Sequence, residues 1–345
     1  EYRLRSIIHK HSEFIAFPIY LGEGAEPVNQ QKALWRQSPR EVDEKQYEDY
    51  YRQFSLDVEK PFKVIHFTTD APVQLYALLF IPGKAERSLF ALRREDGLKL
   101  YSRNVMIQEY TRELLPDYLR FVQGVVDSED LPLNVSRESV QSSAVMARMK
   151  KVITGKVLST LKELALKDAE LYSKFWDEFG LLIKEGVATS RETADREALY
   201  PLLRFRSTRF AETWSSLSEY VGRMKGGQKA IYYILGDDRQ SVTHSPHLDY
   251  FRGAGYEVLT LTDTIDSFML LGIPEFEGFK LQNVASAEVE LPEKAEEKAE
   301  AEAEPAAQEE LDQTLARFKQ VLGERVADVR TTNRLSGSVA RLVDP

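Results

Sequence analysis

Between residues 228 and 261 the chain runs from one β-prone apolar stretch through a capped amphipathic stretch into another, and no other feature restricts the fold as much. Residues 228–235 are rich in Ile and Tyr. Residues 245–252 read as a helix that Ser245 caps and that Gly253 and Gly255 close, and residues 256–261 are again β-prone. Two strands joined through a helix cannot form a hairpin. They pair in parallel through a right-handed crossover, which demands layered α/β architecture. A short helix over residues 263–270 is expected next.

The preceding residues predict a larger unit of mixed class. Residues 14–20 (Phe, Ile, Ala, Phe, Pro, Ile, Tyr) read as a first core strand broken by Gly22 and Gly24. Asp43 is placed to cap a helix whose Tyr47, Tyr50, Tyr51 and Phe54 share one face. Strands are expected over residues 74–81, 88–92 and 98–107, separated by Pro82-Gly83 and by the hairpin signal Asp96-Gly97, and a helix over residues 108–123. From residue 136 to 166 the spacing of Val140, Met146, Met149, Ile153, Val157, Leu161 and Leu164 is helical. The same period returns in Leu171, Phe175, Phe179 and Leu182 and is expected to stop at Gly186.

Residues 288–310 are Glu- and Ala-rich with few large apolar side chains, as in a linker or a solvated helix. Leu311, Leu315, Phe318 and Leu322 then restore a helical stripe before Gly323, and strands are expected over residues 326–331 and 338–343. The fold class is therefore α/β in the mixed, α+β sense. Two αβα-type units, residues 1–165 and 226–286, are joined by a helical connector over 166–225. A linker over 287–310 leads into a truncated α+β domain over 311–345. The chain begins at Glu1 without an initiator Met and stops at Pro345 just after a β-prone run, so we expect a fragment.

Composition excludes several function classes. No run approaches the roughly 18 apolar residues of a membrane helix, and no charged-then-apolar leader opens the chain. The absence of Cys removes disulfides and thiolate metal sites, and the five His lack metal-ligand spacing. No metal site is expected. A net charge of -9 argues against a general nucleic-acid binder, and the Arg204–Arg209 cluster reads as solvated helix charge.

Three places invite chemistry. Asp127, Glu129 and Asp130 resemble paired carboxylates, but the chain supplies no nucleophile, Gly-rich phosphate loop or positioned His to work with them. Residues 235–238 (Leu, Gly, Asp, Asp) offer one Gly and two mutually repelling carboxylates, a poor phosphate loop. Ser136 and Glu138 are suited to a helix start, whereas Arg137 is a cation in the first turn, where the dipole disfavours it unless an anion lies nearby. Trp35 lies in a polar loop before the Tyr-rich helix, where a Trp either packs on its neighbours or stands exposed. Residues 267–276, with Phe268, Met269, Leu270, Leu271 and Ile273, form an apolar stretch that is either a second exposed patch or core, and core packing is the reading we take.

The run Val125-Val126-Asp127-Ser128-Glu129-Asp130-Leu131-Pro132-Leu133-Asn134-Val135-Ser136-Arg137-Glu138 resembles the catalytic-loop motif of the HtpG-type molecular chaperones, the ninety-kilodalton heat-shock family. The resemblance continues in Lys10-His11-Ser12-Glu13-Phe14 and in Ala33-Leu34-Trp35. It returns in Tyr220-Val221-Gly222-Arg223-Met224-Lys225-Gly226-Gly227-Gln228 and in Gly255-Tyr256-Glu257-Val258-Leu259.

The resemblance implies the middle domain and part of the C-terminal domain of an ATP-dependent chaperone of the stress response. ATP and Mg²⁺ would be held by an N-terminal domain that this sequence lacks. It implies that Arg137 reaches the γ-phosphate of that ATP and that Gln141, one turn on, is a polar residue of the same loop. It also implies that Trp35 belongs to an exposed patch contacting client proteins. The partners implied are unfolded clients, the N-terminal ATPase domain and, in the complete protein, a second copy; this stretch alone is expected to be monomeric or weakly dimeric. No nucleic acid or membrane partner is expected, and the compartment expected is a bacterial cytoplasm. Two rivals stay open: a self-contained enzyme on the βαβ unit, and an interaction scaffold without any catalytic contribution.

Overall fold

The computed structural model describes residues 2–15, 17–22, 26–30, 32–55, 59–85, 97–131, 144–286, 305–332, 335 and 339–343. Two compact units, Glu1–Gly186 and Val187–Pro345, divide the chain. The class is mixed α/β, as expected.

The first unit is built on a five-stranded sheet of order β1-β2-β5-β3-β4. Its strands are β1 (Lys63–Thr69), β2 (Leu75–Ile81), β3 (Leu98–Ser102), β4 (Val105–Thr111) and β5 (Gln123–Asp127). Strands β3 and β5 run parallel, and the other neighbouring pairs are antiparallel. β2 is apolar at nearly every position and almost wholly buried, the signature of a strand covered on both faces.

Helix α1 (Tyr2–His11) opens the chain, and α2 (Glu44–Ser55) begins with a reciprocal cap. Gln46 N donates to Asp43 Oδ1 at 2.8 Å and Asp43 N donates to Gln46 Oε1 at 2.9 Å, so Asp43 caps as expected. Long helices α3 (Ala144–Lys167) and α4 (Ala169–Thr189) follow. The stripe Met146, Met149, Ile153, Val157, Leu161 and Leu164 is buried along α3.

Several expected elements are corrected. Among the described residues of 14–20 no strand forms and only Phe14 is buried, while Phe17 stands 78% exposed. The expected strand over 98–107 is a hairpin instead. Arg103 and Asn104 both take positive φ (50° and 67°), which turns the chain in two residues and starts β4. The helix expected over 108–123 gives way to β4, two 3-10 turns (Arg112–Leu114 and Asp117–Leu119) and the start of β5. Val105, Ile107, Tyr110 and Thr111 favour a strand once β3 offers a partner, and Pro116 cannot donate in a helix interior. Helix α4 runs through Gly186 to Thr189. Burial of Phe179, Ile183 and Val187 outweighs the cost of about 1 kcal/mol for a mid-helix Gly. The strand expected over 88–92 lies outside the described residues.

The second unit carries another five-stranded sheet, of order β6-β8-β7-β10-β9. Its strands are β6 (Arg206–Ser207), β7 (Ala230–Leu235), β8 (Leu259–Leu261), β9 (Glu275–Phe276) and β10 (Phe279–Asn283). β7 pairs in parallel with β8 and with β10, so the crossover expected from the sequence is present. Helices α5 (Thr193–Leu199) and α6 (Leu217–Gly222) precede β7; α7 (Arg239–Thr243) and α8 (Asp249–Gly253) fill the crossover, and α9 (Asp266–Leu271) follows β8. Tyr232, Ile234, Val242, Leu248, Phe251 and Val258 make the core between β7 and its helices.

Asp238 caps α7 by accepting from Ser241 N at 2.7 Å, and this bond holds its carboxyl below the usual range. One of the two carboxylates read as repelling is thus a cap. The Arg204–Arg209 cluster is not helical: it brackets the short strand β6, and Arg206 stacks 4.3 Å from the Trp214 ring centroid. Helix α10 spans Pro305–Leu322, its Pro in the first turn, where no N–H is needed. The expected linker therefore overlaps a helix from Pro305 onward. Among the described residues of 326–332 and 339–343 no strand forms. Val339 and Leu342 are 93% and 73% exposed, and an extended run without a pairing partner stays irregular.

Candidate functional site

Asp127 closes β5 and is fully buried, a position that a carboxylate tolerates only among donors. Its Oδ2 accepts from Trp35 Nε1 (3.1 Å), Arg36 Nε (2.7 Å) and the backbone N–H of Asn104 in the β3–β4 turn (3.2 Å). Oδ1 has no hydrogen-bond partner among the described residues. Arg36 reaches further: Nη1 donates to Glu129 Oε1 at 2.7 Å, and its guanidinium lies 4.4 Å from the Tyr76 ring centroid. Burial works against the Arg36 charge, but the hydrogen bonds to Asp127 and Glu129 outweigh it and raise the guanidinium above its ordinary pKa.

The residues after Asp127 are pinned one by one. Ser128 N donates to Tyr101 O at 3.2 Å and Ser128 Oγ to Gln74 O at 2.6 Å. Gln74 N donates to Asp130 Oδ2 at 2.9 Å, and Ser102 Oγ to Leu131 O at 2.7 Å. Residues 127–131 are thereby fixed to the start of β2 and the end of β3. Arg36 bridges Asp127 and Glu129, and the Gln74 amide takes Asp130, so all three carboxylates serve as acceptors that hold the chain path. Arg137 and Gln141, with Ser136 and Glu138, lie outside the described residues.

Trp35 requires a correction. It is 0% exposed, packed edge-on to Phe14 at 4.6 Å between centroids and against Tyr101 at 4.9 Å. A client finds no surface there. Its loop folds into a 3-10 turn (Leu34–Arg36), and the buried Asp127 carboxylate takes the indole N–H as one of its donors. The Arg36–Asp127 pair was not read from the sequence, because its members stand 91 residues apart and no periodicity reports that separation. The one usable signal was a charge directly after the apolar pair Val125-Val126, which needs a cation once it is buried. Beside this network, His66 on β1 has Nε2 at 3.2 Å from Trp35 O and Nδ1 at 2.7 Å from Tyr47 Oη.

A second site lies in the other unit. On α9, Met269 is fully buried, as is Ile273 just beyond, whereas Phe268 and Leu271 are 60% and 82% exposed. Spaced i and i+3, the exposed pair shares one helix face. The helix is held at both ends: Asp263 N donates to Asp266 Oδ2 at 2.9 Å, and Tyr200 Oη to Gly272 O at 2.6 Å. The core role read for residues 267–276 therefore holds for Met269 and Ile273 and is corrected for Phe268 and Leu271. Among the described residues, no helix is long and apolar enough to cross a membrane.

Residues 22–345 match the family described as Hsp90 protein. The chaperone protein HtpG of Geobacter sulfurreducens is 42% identical over 367 residues, covering 99% of this chain and 56% of that protein. HtpG of Pasteurella multocida is 40% identical over 354 residues, covering 99% and 56%. HtpG of Chlorobium phaeovibrioides is 41% identical over 347 residues, covering 99% and 54%. The chain spans about half the length of these curated relatives.

Proposed function

The chain belongs to the Hsp90 family, and from that membership we propose that it is the client-holding and ATPase-activating part of an ATP-dependent chaperone. The observation that carries the client reading is the pair Phe268 and Leu271, two large apolar side chains displayed on a helix whose opposite face is locked in the core. Exposed apolar surface on a rigid support suits transient capture of unfolded chains, which offer apolar segments in no fixed sequence. The proposed partners are unfolded or partly folded clients, a nucleotide-binding domain of the same protein and a second copy of the complete protein. The proposed compartment is the bacterial cytoplasm.

Neither stretch singled out in the sequence is free to hold ATP and Mg²⁺. Asp127, Glu129 and Asp130 are committed to Arg36 and Gln74, and the 235–238 turn spends Asp238 on capping α7. The nucleotide would be held by another domain, and the pinned stretch 127–131 would fix the base of the segment that carries Arg137 and Gln141. A cation arriving on a firmly rooted segment stabilises charge on a transferring phosphoryl group only when the domains meet.

The client reading is tested with the double variant Phe268→Ser, Leu271→Ser in this chain. Suppression of aggregation of a heat-unfolded test protein should fall by about twofold or more, with an unchanged melting temperature. The control Leu166→Ser, at an exposed position on α3, should change neither. Full suppression by the double variant would overturn the reading.

A further inference from the structure

The second unit holds a concave cationic site independent of the chaperone reading. A cavity of about 330 Å³ is lined by Arg209, Arg223, Lys225, Gln228, Arg252 and Glu257, together with Thr208, Gly255 and Tyr256. Its one carboxylate, Glu257, is consumed: Arg223 Nε and Nη2 donate to Glu257 Oε2 and Oε1 at 3.0 and 2.8 Å. That cancels one of the four positive charges.

The other three are left uncancelled. Lys225 Nζ donates to the Ala254 carbonyl at 2.6 Å, and Arg252 Nη2 donates to the Thr243 carbonyl, so neutral groups at two helix ends hold both cations in place. Arg209 lies 5.8 Å from the Phe210 ring centroid and pairs with no carboxylate among the described residues. The floor is equally fixed. Gln228, 7% exposed, donates to Tyr220 Oη at 3.1 Å and to Ala230 O at 2.7 Å. Gly255 takes φ +67°, and a Cβ there would come within 2.7 Å of Lys225 Nζ, so the absence of a side chain lets the ammonium lie on the turn.

Ordinary surface Lys and Arg sweep through solvent, and their charge is spread and screened. Here three cations line one concavity, and two of them, Lys225 and Arg252, are tied by a bond that leaves the charge intact. Like charges so gathered repel, and a bound anion relieves the repulsion while meeting donors that are already oriented. Two guanidinium groups offer paired N–H donors that match phosphate oxygens, and the ammonium adds a point charge. A net charge of -9 on the whole chain turns away long polyanions, and the cavity volume suits a small molecule. We propose that this cavity binds a small phosphate-bearing molecule of the pyrophosphate class, with Arg209, Lys225 and Arg252 as its donors.

Titration of this chain with inorganic pyrophosphate at low ionic strength, followed by calorimetry and by backbone amide shifts, tests the assignment. Saturable binding is expected, with shifts centred on residues 208–209, 223–228 and 252–257. Arg209→Ala and Arg252→Ala should each weaken it by about tenfold or more, since each removes charge-assisted hydrogen bonds. Arg317→Ala, on α10, should leave it unchanged, and sodium acetate at matched ionic strength should give no saturable shift. Should Arg252→Ala unfold through loss of its carbonyl contact, Arg209→Ala decides, because no ion pair is lost there. Absence of saturable binding, an equal response to acetate, or an unaltered Kd in Arg209→Ala would overturn the proposal.

Discussion

His66 shows at the scale of a residue how a polar group survives beside an aromatic core. The Trp35 carbonyl can only accept, so His66 Nε2 must carry the proton that it donates; in the neutral ring Nδ1 is then the acceptor for the Tyr47 hydroxyl. Burial lowers its pKa below the usual 6.5, partly countered by the bond to Trp35 O. The sign of the consequence follows. Below about pH 6.5 the unfolded chain takes up a proton that the folded ring resists, so stability present above that pH is lost as the pH falls through the lower folded value. His66→Gln keeps one donor and one acceptor but cannot titrate. Its urea midpoint should fall less between pH 7.5 and pH 5 than that of the parent; parallel losses in both proteins would remove His66 from the account.

Two glycines of opposite character test packing at the scale of the element. Gly124 on β5 takes φ +142°, and a Cβ there would overlap the Leu78 carbonyl and stand 2.8 Å from Leu79 Cα on the paired strand β2. Gly124→Ala should therefore cost about 3 kcal/mol, combining backbone strain with separation of two core strands. Gly155 lies exposed in α3, where an added Cβ would meet nothing within 4 Å, and Gly155→Ala should gain about 0.5–1 kcal/mol from the lower helix propensity of Gly. Chemical denaturation of both variants reads these opposite signs directly. A neutral Gly124→Ala would mean that β2 and β5 can separate at no cost. The same element-level logic shows why β4 escaped sequence reading. Its residues were compatible with either period, and only pairing with β3 across the Arg103-Asn104 turn settled them as strand.

At the scale of the whole molecule, the Arg137 proposal couples this segment to chemistry performed on another domain. Arg137→Ala, in a protein that joins this sequence to a nucleotide-binding domain, should lower ATP turnover by about tenfold or more with nearly unchanged nucleotide affinity, since the proposed contact would be made only at closure. Loss of affinity in proportion to turnover would make Arg137 a ground-state contact. An unchanged rate would favour the scaffold reading instead.

What could be read from the sequence was whatever repeats at short range. The 3.6-residue stripe of α3, the Asp43 cap of α2 and the strand–helix–strand order of the crossover depend on neighbours within a few turns, and each was legible. The family was legible as well, because its motif is one contiguous run around Arg137. Burial at isolated positions was not. Trp35 could pack or protrude until Asp127, 92 residues away, required a donor; Phe268 could sit in the core until Met269 and Ile273 took that side of α9. The three uncancelled cations of the small cavity come from separate stretches of the chain, and only the folded β6, α6 and α8 ends bring them together. Periodicity fixes which face of an element turns inward, whereas the choice of partner across tens of residues is made by desolvation and pairing, and these act only once the chain has closed on itself.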